Sequence, residues 1–166
     1  MRAVIQRVRA AGVSVGGRGI AAIGPGAVVL LGVARGDTAA EAEYLAGKIS
    51  RLRIFDDAQG RMNRALAEVG GALLVVSQFT LLGECRKGNR PSYIEAAPPE
   101  LAVPLYEEFV RRLRALGHEV QTGIFREHML VRIENDGPVT LLLDSRRGTA
   151  AGTPGDDGAQ PSDLPA

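Results

Sequence analysis

Leu73-Leu74-Val75-Val76-Ser77-Gln78-Phe79-Thr80-Leu81-Leu82 reads as a buried β-strand, because an apolar run of this length suits a strand with little exposure to water. Three polar residues interrupt it, and an unpaired polar group in such a place costs about 1–3 kcal/mol. Something must satisfy them. Alternation puts Gln78 and Thr80 on one face, with Ser77 and Phe79 on the other. Either these groups are hydrogen-bonded within the core, or this strand end lines a polar pocket whose backbone N–H groups are offered to an oxyanion.

On the N-terminal side, residues 1–34 read as a β meander with strands at Ala3–Arg9, Gly12–Val15, Gly19–Ile23 and Ala27–Ala34, turned at Gly16-Gly17 and Gly24-Pro25. Thr38-Ala39-Ala40-Glu41 is a capping box that opens a helix, with Leu45, Ile49 and Leu52 as its buried stripe. Asp56 to Gly60 is a polar turn, not a calcium loop, because it lacks the ligand series and the closing glutamate. On the C-terminal side, a loop rich in Gly, Pro and basic residues spans Gly83 to Pro99. A second helix then carries Leu105, Phe109, Leu113 and Leu116 on one face. Its acidic residues come early and its arginines late, which suits the helix dipole and permits Glu107–Arg111 and Glu108–Arg112 pairs. Pro104 belongs in its first turn or kinks it, and Gly117 stops it. Strands return at Glu119–Phe125, Met129–Glu134 and Val139–Asp144. The architecture expected is α+β, a mainly antiparallel sheet with a barrel-like core and two main helices.

A length of 166 residues suits one domain, and no apolar stretch is long enough for a membrane span. Arg2, Gln6, Arg7 and Arg9 interrupt the opening apolar residues before a secretory signal could form. A single cysteine, Cys85, suits a reducing cytoplasm, and with only two histidines a closed structural zinc site is not expected. Neither a metal nor a cofactor is called for. Basic and acidic residues number 20 and 19, so no broad basic field exists for tracking a duplex, although contact with a nucleic-acid end fits. The segment 147–166 has four Gly, three Pro and one large apolar residue, Leu164. Such a composition reads as a disordered tail with a net charge of −2, leaving +3 on a folded domain of residues 1–146.

Several residues invite chemical readings. Gly12-Val13-Ser14-Val15-Gly16 matches the nucleophile elbow, but the elbow requires a strand-to-helix turn and a further strand pattern follows here. His118 and His128 have no serine or cysteine nucleophile near them in sequence, and His118 follows a helix end where a structural role suffices. Cys85 adjoins Arg86 and Lys87, yet no base is mapped to it. Asn135-Asp136-Gly137 joins two strand patterns with hairpin-turn chemistry. The loop Arg86-Lys87-Gly88-Asn89-Arg90-Pro91-Ser92-Tyr93 gathers cations beside an aromatic ring, either as a solvated loop or to hold a phosphate or stack a base.

Taken together, SQFTLLG at Ser77–Gly83 and NDGPVT at Asn135–Thr140 closely resemble the two characteristic motifs of the D-aminoacyl-tRNA deacylase family. The resemblance extends to the opening MRAVIQRV, the helix after Asp37, the KGNRPSY loop and the stretch Thr122–Phe125, and so covers about residues 1–145. It implies a cytoplasmic homodimer in which a cis Gly137-Pro138 of one subunit enters the active site of the other. It also implies that Ser77, Gln78, Phe79 and Thr80 line the pocket for the aminoacyl ester and terminal adenosine, that Met129 and Asn135 join the substrate-binding residues, and that Arg7 braces the Gly-Pro peptide. Where the family most often has FGADM, this chain has Phe125-Arg126-Glu127-His128-Met129, so a bulky arginine replaces a glycine at the pocket rim.

The implied reaction is hydrolysis of the ester between a D-amino acid and the acceptor end of tRNA, a chiral proofreading step. That ester is already activated, so placing water and stabilising the oxyanion suffices, with the vicinal ribose hydroxyl assisting proton transfer. Rigid backbone carbonyls would exclude an L side chain. Glycine has no side chain to exclude, so glycyl-tRNA mischarged on tRNA(Ala) should also be cleaved. The alternatives are a non-catalytic RNA-end-binding dimer on the same scaffold, and a serine esterase using Ser14.

Overall fold

The computed structural model describes residues 1–86 and 88–147, and the expected tail lies outside them apart from Arg147. The first two expected strands are one. The segment β1 (Arg2–Val15) runs without a break, because irregular pairing around Val8 and Arg9 absorbs the break in alternation. Ala3 and Ile5 therefore face one core cluster, and Val8, Ala11 and Val13 face another. A glycine turn at Gly16 and Gly17, both with positive φ, returns the chain as β2 (Arg18–Ile23), and β3 (Gly26–Gly32) follows Gly24-Pro25.

Helix α1 (Ala39–Ser50) begins as its capping box requires: Ala40 N–H donates to Thr38 Oγ1 at 3.2 Å, and Thr38 N–H donates to a Glu41 carboxylate oxygen at 2.7 Å. The Thr38 hydroxyl also donates to a Glu41 carboxylate oxygen at 2.7 Å, and this bond first, with the Thr38 N–H bond second, holds the Glu41 carboxyl below its ordinary pKa. A hairpin that periodicity did not suggest, β4 (Arg53–Asp56) and β5 (Met62–Ala65), flanks the expected polar turn.

The long apolar run is strand only in its first part. β6 (Ala72–Ser77) ends at Ser77, and Phe79–Leu82 wind into a 3-10 turn. Strict alternation therefore stops before Gln78, and the expected pairing of Gln78 with Thr80 on one strand face is overturned. Within β6 the alternation is clear: Leu73 and Val75 face the helices, while Leu74 and Val76 face the interior of the curled sheet.

Helix α2 (Pro99–Ala115) buries Ala102, Tyr106, Phe109, Val110 and Leu113, so Tyr106 takes the place expected of Leu105, and Leu116 is half exposed. Pro99 occupies the first turn, whereas Pro104 lies farther inside the helix than expected. Glu108 pairs with both Arg111 and Arg112, and no Glu107–Arg111 pair forms among the described residues. β7 is shorter than expected, at Val120–Thr122.

The largest correction lies at the end of the chain. Asn135-Asp136-Gly137 is no hairpin turn, because β8 (Met129–Asp144) runs through it as one 16-residue strand alongside β1. Opposite Arg7 it accommodates four residues, 136–139, between the pairs Gln6–Thr140 and Val8–Asn135. The sheet order is β2-β1-β3-β6-β7 with β8 on β1. β3–β6 and β6–β7 are parallel and the other pairs antiparallel. β2 also reaches β6 and β7, so the sheet curls into a nearly closed barrel with the two helices packed on one outer face. Among the described residues no helix is long and apolar enough to cross a membrane.

Candidate active site

The end of β6 opens into a cleft of about 410 Å³ between the sheet and α2. Ser77, Gln78, Phe79, Tyr106, Phe125 and Arg126 line it together with the apolar Leu31, Val33, Ala97 and Ala102. Backbone packing fixes Gln78 in this lining. Gln78 N–H donates to Leu31 O at 2.7 Å, and the 3-10 turn lies so close to β3 that a Cβ on Gly32 would stand 2.9 Å from Gln78 O and 2.5 Å from Leu82 Cδ2. Only glycine fits there.

The Gln78 amide donates to Thr80 Oγ1 at 2.5 Å, which ties the two side chains together. Thr80 is exposed and is not among the residues lining the cleft. Phe79 is 56% exposed, and its ring stands edge-on to Tyr93 with centroids 5.1 Å apart, so the basic loop is brought to the cleft through its aromatic residue. In that loop Arg86 is held by Glu84, and this bond is the main reason the Glu84 carboxyl is lowered to a pKa of about 2. The N–H groups of Phe79 and Thr80, at the start of the 3-10 turn, make no hydrogen bond to the described residues.

Tyr106 is a lining residue that sequence reasoning missed. Its hydroxyl donates to Val75 O at 2.8 Å, and burial pushes its pKa well above the ordinary tyrosine value. Its ring meets Phe125 at 6.0 Å, which anchors the segment leading to Arg126. The signal was available in the sequence, since a tyrosine at the buried spacing of an amphipathic helix must find a partner for its hydroxyl.

A second cluster forms where β8 bulges. Arg7 is 8% exposed; its Nε donates to Asp136 O at 3.2 Å, and its Nη1 donates to Ile54 O at 2.8 Å and to Asp56 Oδ1 at 3.2 Å. From the other side Asn135 Nδ2 donates to Arg7 O at 2.8 Å and to Val139 O at 3.2 Å. Between these clamps the Gly137–Pro138 peptide is cis and both residues are exposed. Gly137 has φ 138°, and a Cβ there would lie 2.5 Å from Val139 N. Neither residue lines the cleft of its own chain. Met129, at the start of β8, packs on the barrel-side core with its sulfur 2.5 Å from where a Cβ of Gly123 would stand, and it too is absent from the cleft lining.

The remaining candidates lie elsewhere. Ser14 is in β1 before a hairpin, not at a strand-to-helix turn, so the elbow match is accidental. His118 does meet a serine that is distant in sequence: its Nε2 is 2.6 Å from Ser50 Oγ, at the ends of the two helices. Burial lowers the His118 pKa, and neither residue lines the cleft. Cys85 and His128 are exposed.

The family model described as D-Tyr-tRNA(Tyr) deacylase matches residues 4–144. A D-aminoacyl-tRNA deacylase of Anaeromyxobacter dehalogenans is 61% identical over 147 residues, covering 89% of this chain and 99% of that protein. One from Symbiobacterium thermophilum is 58% identical over the same length, covering 89% and 97%. Among solved structures, a c-Myc DNA unwinding element binding protein superposes with a TM-score of 0.82 at 42% identity, covering 87% of this chain and 98% of that one. A probable eukaryotic D-amino acid tRNA deacylase superposes with a TM-score of 0.71 at 18% identity, covering 86% and 97%, a likeness of fold.

Proposed function

Because this chain belongs to the D-Tyr-tRNA(Tyr) deacylase family and is an ester hydrolase of D-aminoacyl-tRNA, we propose that its cleft sorts aminoacyl esters by handedness, using main chain in place of a reactive side group. The observation that carries this reading is the lining itself. Among the described residues it contains no histidine, cysteine, lysine or carboxylate, and Ser77 has no base beside it. Such a cleft suits an ester that is already activated, where positioning water and stabilising the oxyanion supply the rate.

In this reading Ser77, Gln78, Phe79 and Thr80 hold the aminoacyl ester and terminal adenosine. Water adds to the ester carbonyl, and the oxyanion is met by the unpaired N–H groups of Phe79 and Thr80. The carbon–oxygen bond to the ribose then breaks, and the leaving ribose oxygen takes up the proton, with the neighbouring ribose hydroxyl passing it on. The products are free D-amino acid and tRNA.

Gly137-Pro138 would act in the cleft of a second copy. The pair is exposed, held by Arg7 and Asn135, and absent from the cleft of its own chain. Among the described residues β8 pairs only with β1, and its Leu130 and Leu142 are 68% and 67% exposed, which suits burial against another subunit. There the backbone of Gly137-Pro138 would occupy the space an L side chain needs, with Met129 and Asn135 supporting the substrate-facing backbone. Glycyl-tRNA mischarged on tRNA(Ala) would pass the same filter. Residues 1–146 form the deacylase domain in this reading, and the enzyme works in the cytoplasm, where tRNA is charged.

The test compares hydrolysis of D-tyrosyl-, L-tyrosyl- and glycyl-tRNA by the purified protein, with its mass in solution measured in parallel. Loss of the D and glycyl esters, survival of the L ester and a dimeric mass are expected. Intact D-tyrosyl-tRNA, or equal loss of both enantiomers, would defeat the proposal.

A further inference from the structure

We infer that Arg126 is a phosphate-binding residue of the cleft rim, holding the sugar–phosphate strand that leads to the substrate's terminal nucleoside; the inference rests on the deacylase reading above. Three observations converge on it. Arg126 lines the same cleft as its neighbour Phe125 and as Phe79, and it is exposed. Among the described residues it makes no ion pair and no hydrogen bond. By contrast, Arg2, Arg86 and Arg146, which line the neighbouring polar cleft, are paired with Asp144, Glu84 and Glu95. The positive charge at the catalytic cleft is therefore uncommitted, whereas that of the neighbouring cleft is neutralised.

The third observation is conformational. Ile124–Glu127 is a β-turn, closed by Glu127 N–H donating to Ile124 O at 3.4 Å. Arg126 occupies its third position with φ 68° and is the one non-glycine residue of positive φ among those described. Glycine or asparagine ordinarily holds such a place, because a β-carbon there crowds the backbone. An arginine that tolerates this conformation at the mouth of an RNA-directed cleft, with no protein partner, is accounted for by a ligand of opposite charge. The single strand at the acceptor end carries one: each internucleotide phosphate presents oxygens to which a guanidinium fork can donate. Phe125, packed on Tyr106, fixes where that fork begins.

The experiment measures hydrolysis of D-aminoacyl-tRNA against salt for the wild type, R126Q and R126K, beside a phosphate-free substrate, a 3′-D-aminoacyl-adenosine. R126Q should raise KM for the tRNA ester more than KM for the adenosine ester. Its plot of log kcat/KM against log salt should be shallower by about 0.7, the slope of one phosphate contact on a single strand. Between 50 and 200 mM salt, the advantage of the wild type should accordingly shrink by about 2.5-fold. R126K should keep the wild-type slope. An unchanged slope in R126Q, or equal damage to both substrates, would overturn the assignment. Equilibrium binding of deacylated tRNA to the same variants reads the same slope without turnover. Failure of the wild type to cleave either ester would thus strike the deacylase reading, while the binding slope still decides Arg126.

Discussion

Arg7 Nε donates to the main-chain oxygen of Asp136 at 3.2 Å, so a guanidinium rooted in the middle of β1 holds the residue immediately before Gly137 in β8. The same side chain satisfies Ile54 O and Asp56, which links the small hairpin to the bulge. A lysine keeps the charge but cannot span three acceptors in one plane. Arg7→Lys should therefore lower stability by about 1–3 kcal/mol, the penalty for leaving buried carbonyl groups unanswered. It should also reduce D-aminoacyl-tRNA hydrolysis under conditions where the variant is still folded. Urea unfolding followed by single-turnover assays checks both. Full activity in a folded Arg7→Lys protein would detach the bulge from the reaction.

Gly32 supports the other half of the site from beneath. Because a β-carbon would collide with Gln78 O and the Leu82 side chain, Gly32→Ala must push the 3-10 turn away from β3. Overpacking of this kind typically destabilises by about 1–3 kcal/mol. A displacement of about 1 Å at the reacting groups can lower turnover on the order of a hundredfold. Gly24→Ala is the control, since no atom lies within 4 Å of its added carbon. Comparing kcat for the two variants decides the matter: similar values would remove any special role for the packing under Gln78.

His118 gives the fold a defined acid sensitivity. Burial lowers its pKa, so the folded chain favours the neutral ring that sits against Ser50. The unfolded chain takes up a proton near pH 6.5. Stability from this group is complete above that pH and is lost as pH falls below it, because the unfolded state then binds more protons. His118→Gln should flatten the melting-temperature profile below about pH 6.5 relative to wild type. Parallel profiles would show that other groups govern that range.

The sequence made the helices legible because their signals are local, a capping box at Thr38 and an apolar stripe, although the proline of the second helix's first turn is Pro99 and not Pro104. The motif strand was legible in kind, and Ser77, Gln78 and Phe79 do stand at the mouth of a cleft. Its end was not, because a 3-10 turn of apolar residues looks like more strand until Gly32 lets it fold down onto β3. The bulge at Asn135–Val139 was hidden for a related reason. Asn-Asp-Gly has the chemistry of a hairpin, and only the long-range pairing of β8 with β1 shows that the chain does not turn back. Gly32 and the Ser50–His118 contact depend on elements far apart in sequence, which periodicity does not register, whereas the helical spacing of Tyr106 marks it as buried but not its partner, Val75 O.

Neighbouring residues of β6 serve different rooms. Leu73 and Val75 belong to the packing under the helices, Leu74 and Val76 to the lumen of the curled sheet, and the strand delivers Ser77 and Gln78 at its end. Inserting or deleting one codon within it would exchange the two sets and carry the delivered pair to the wrong side. The composition of this strand can drift among apolar residues of similar bulk, but its count of residues cannot.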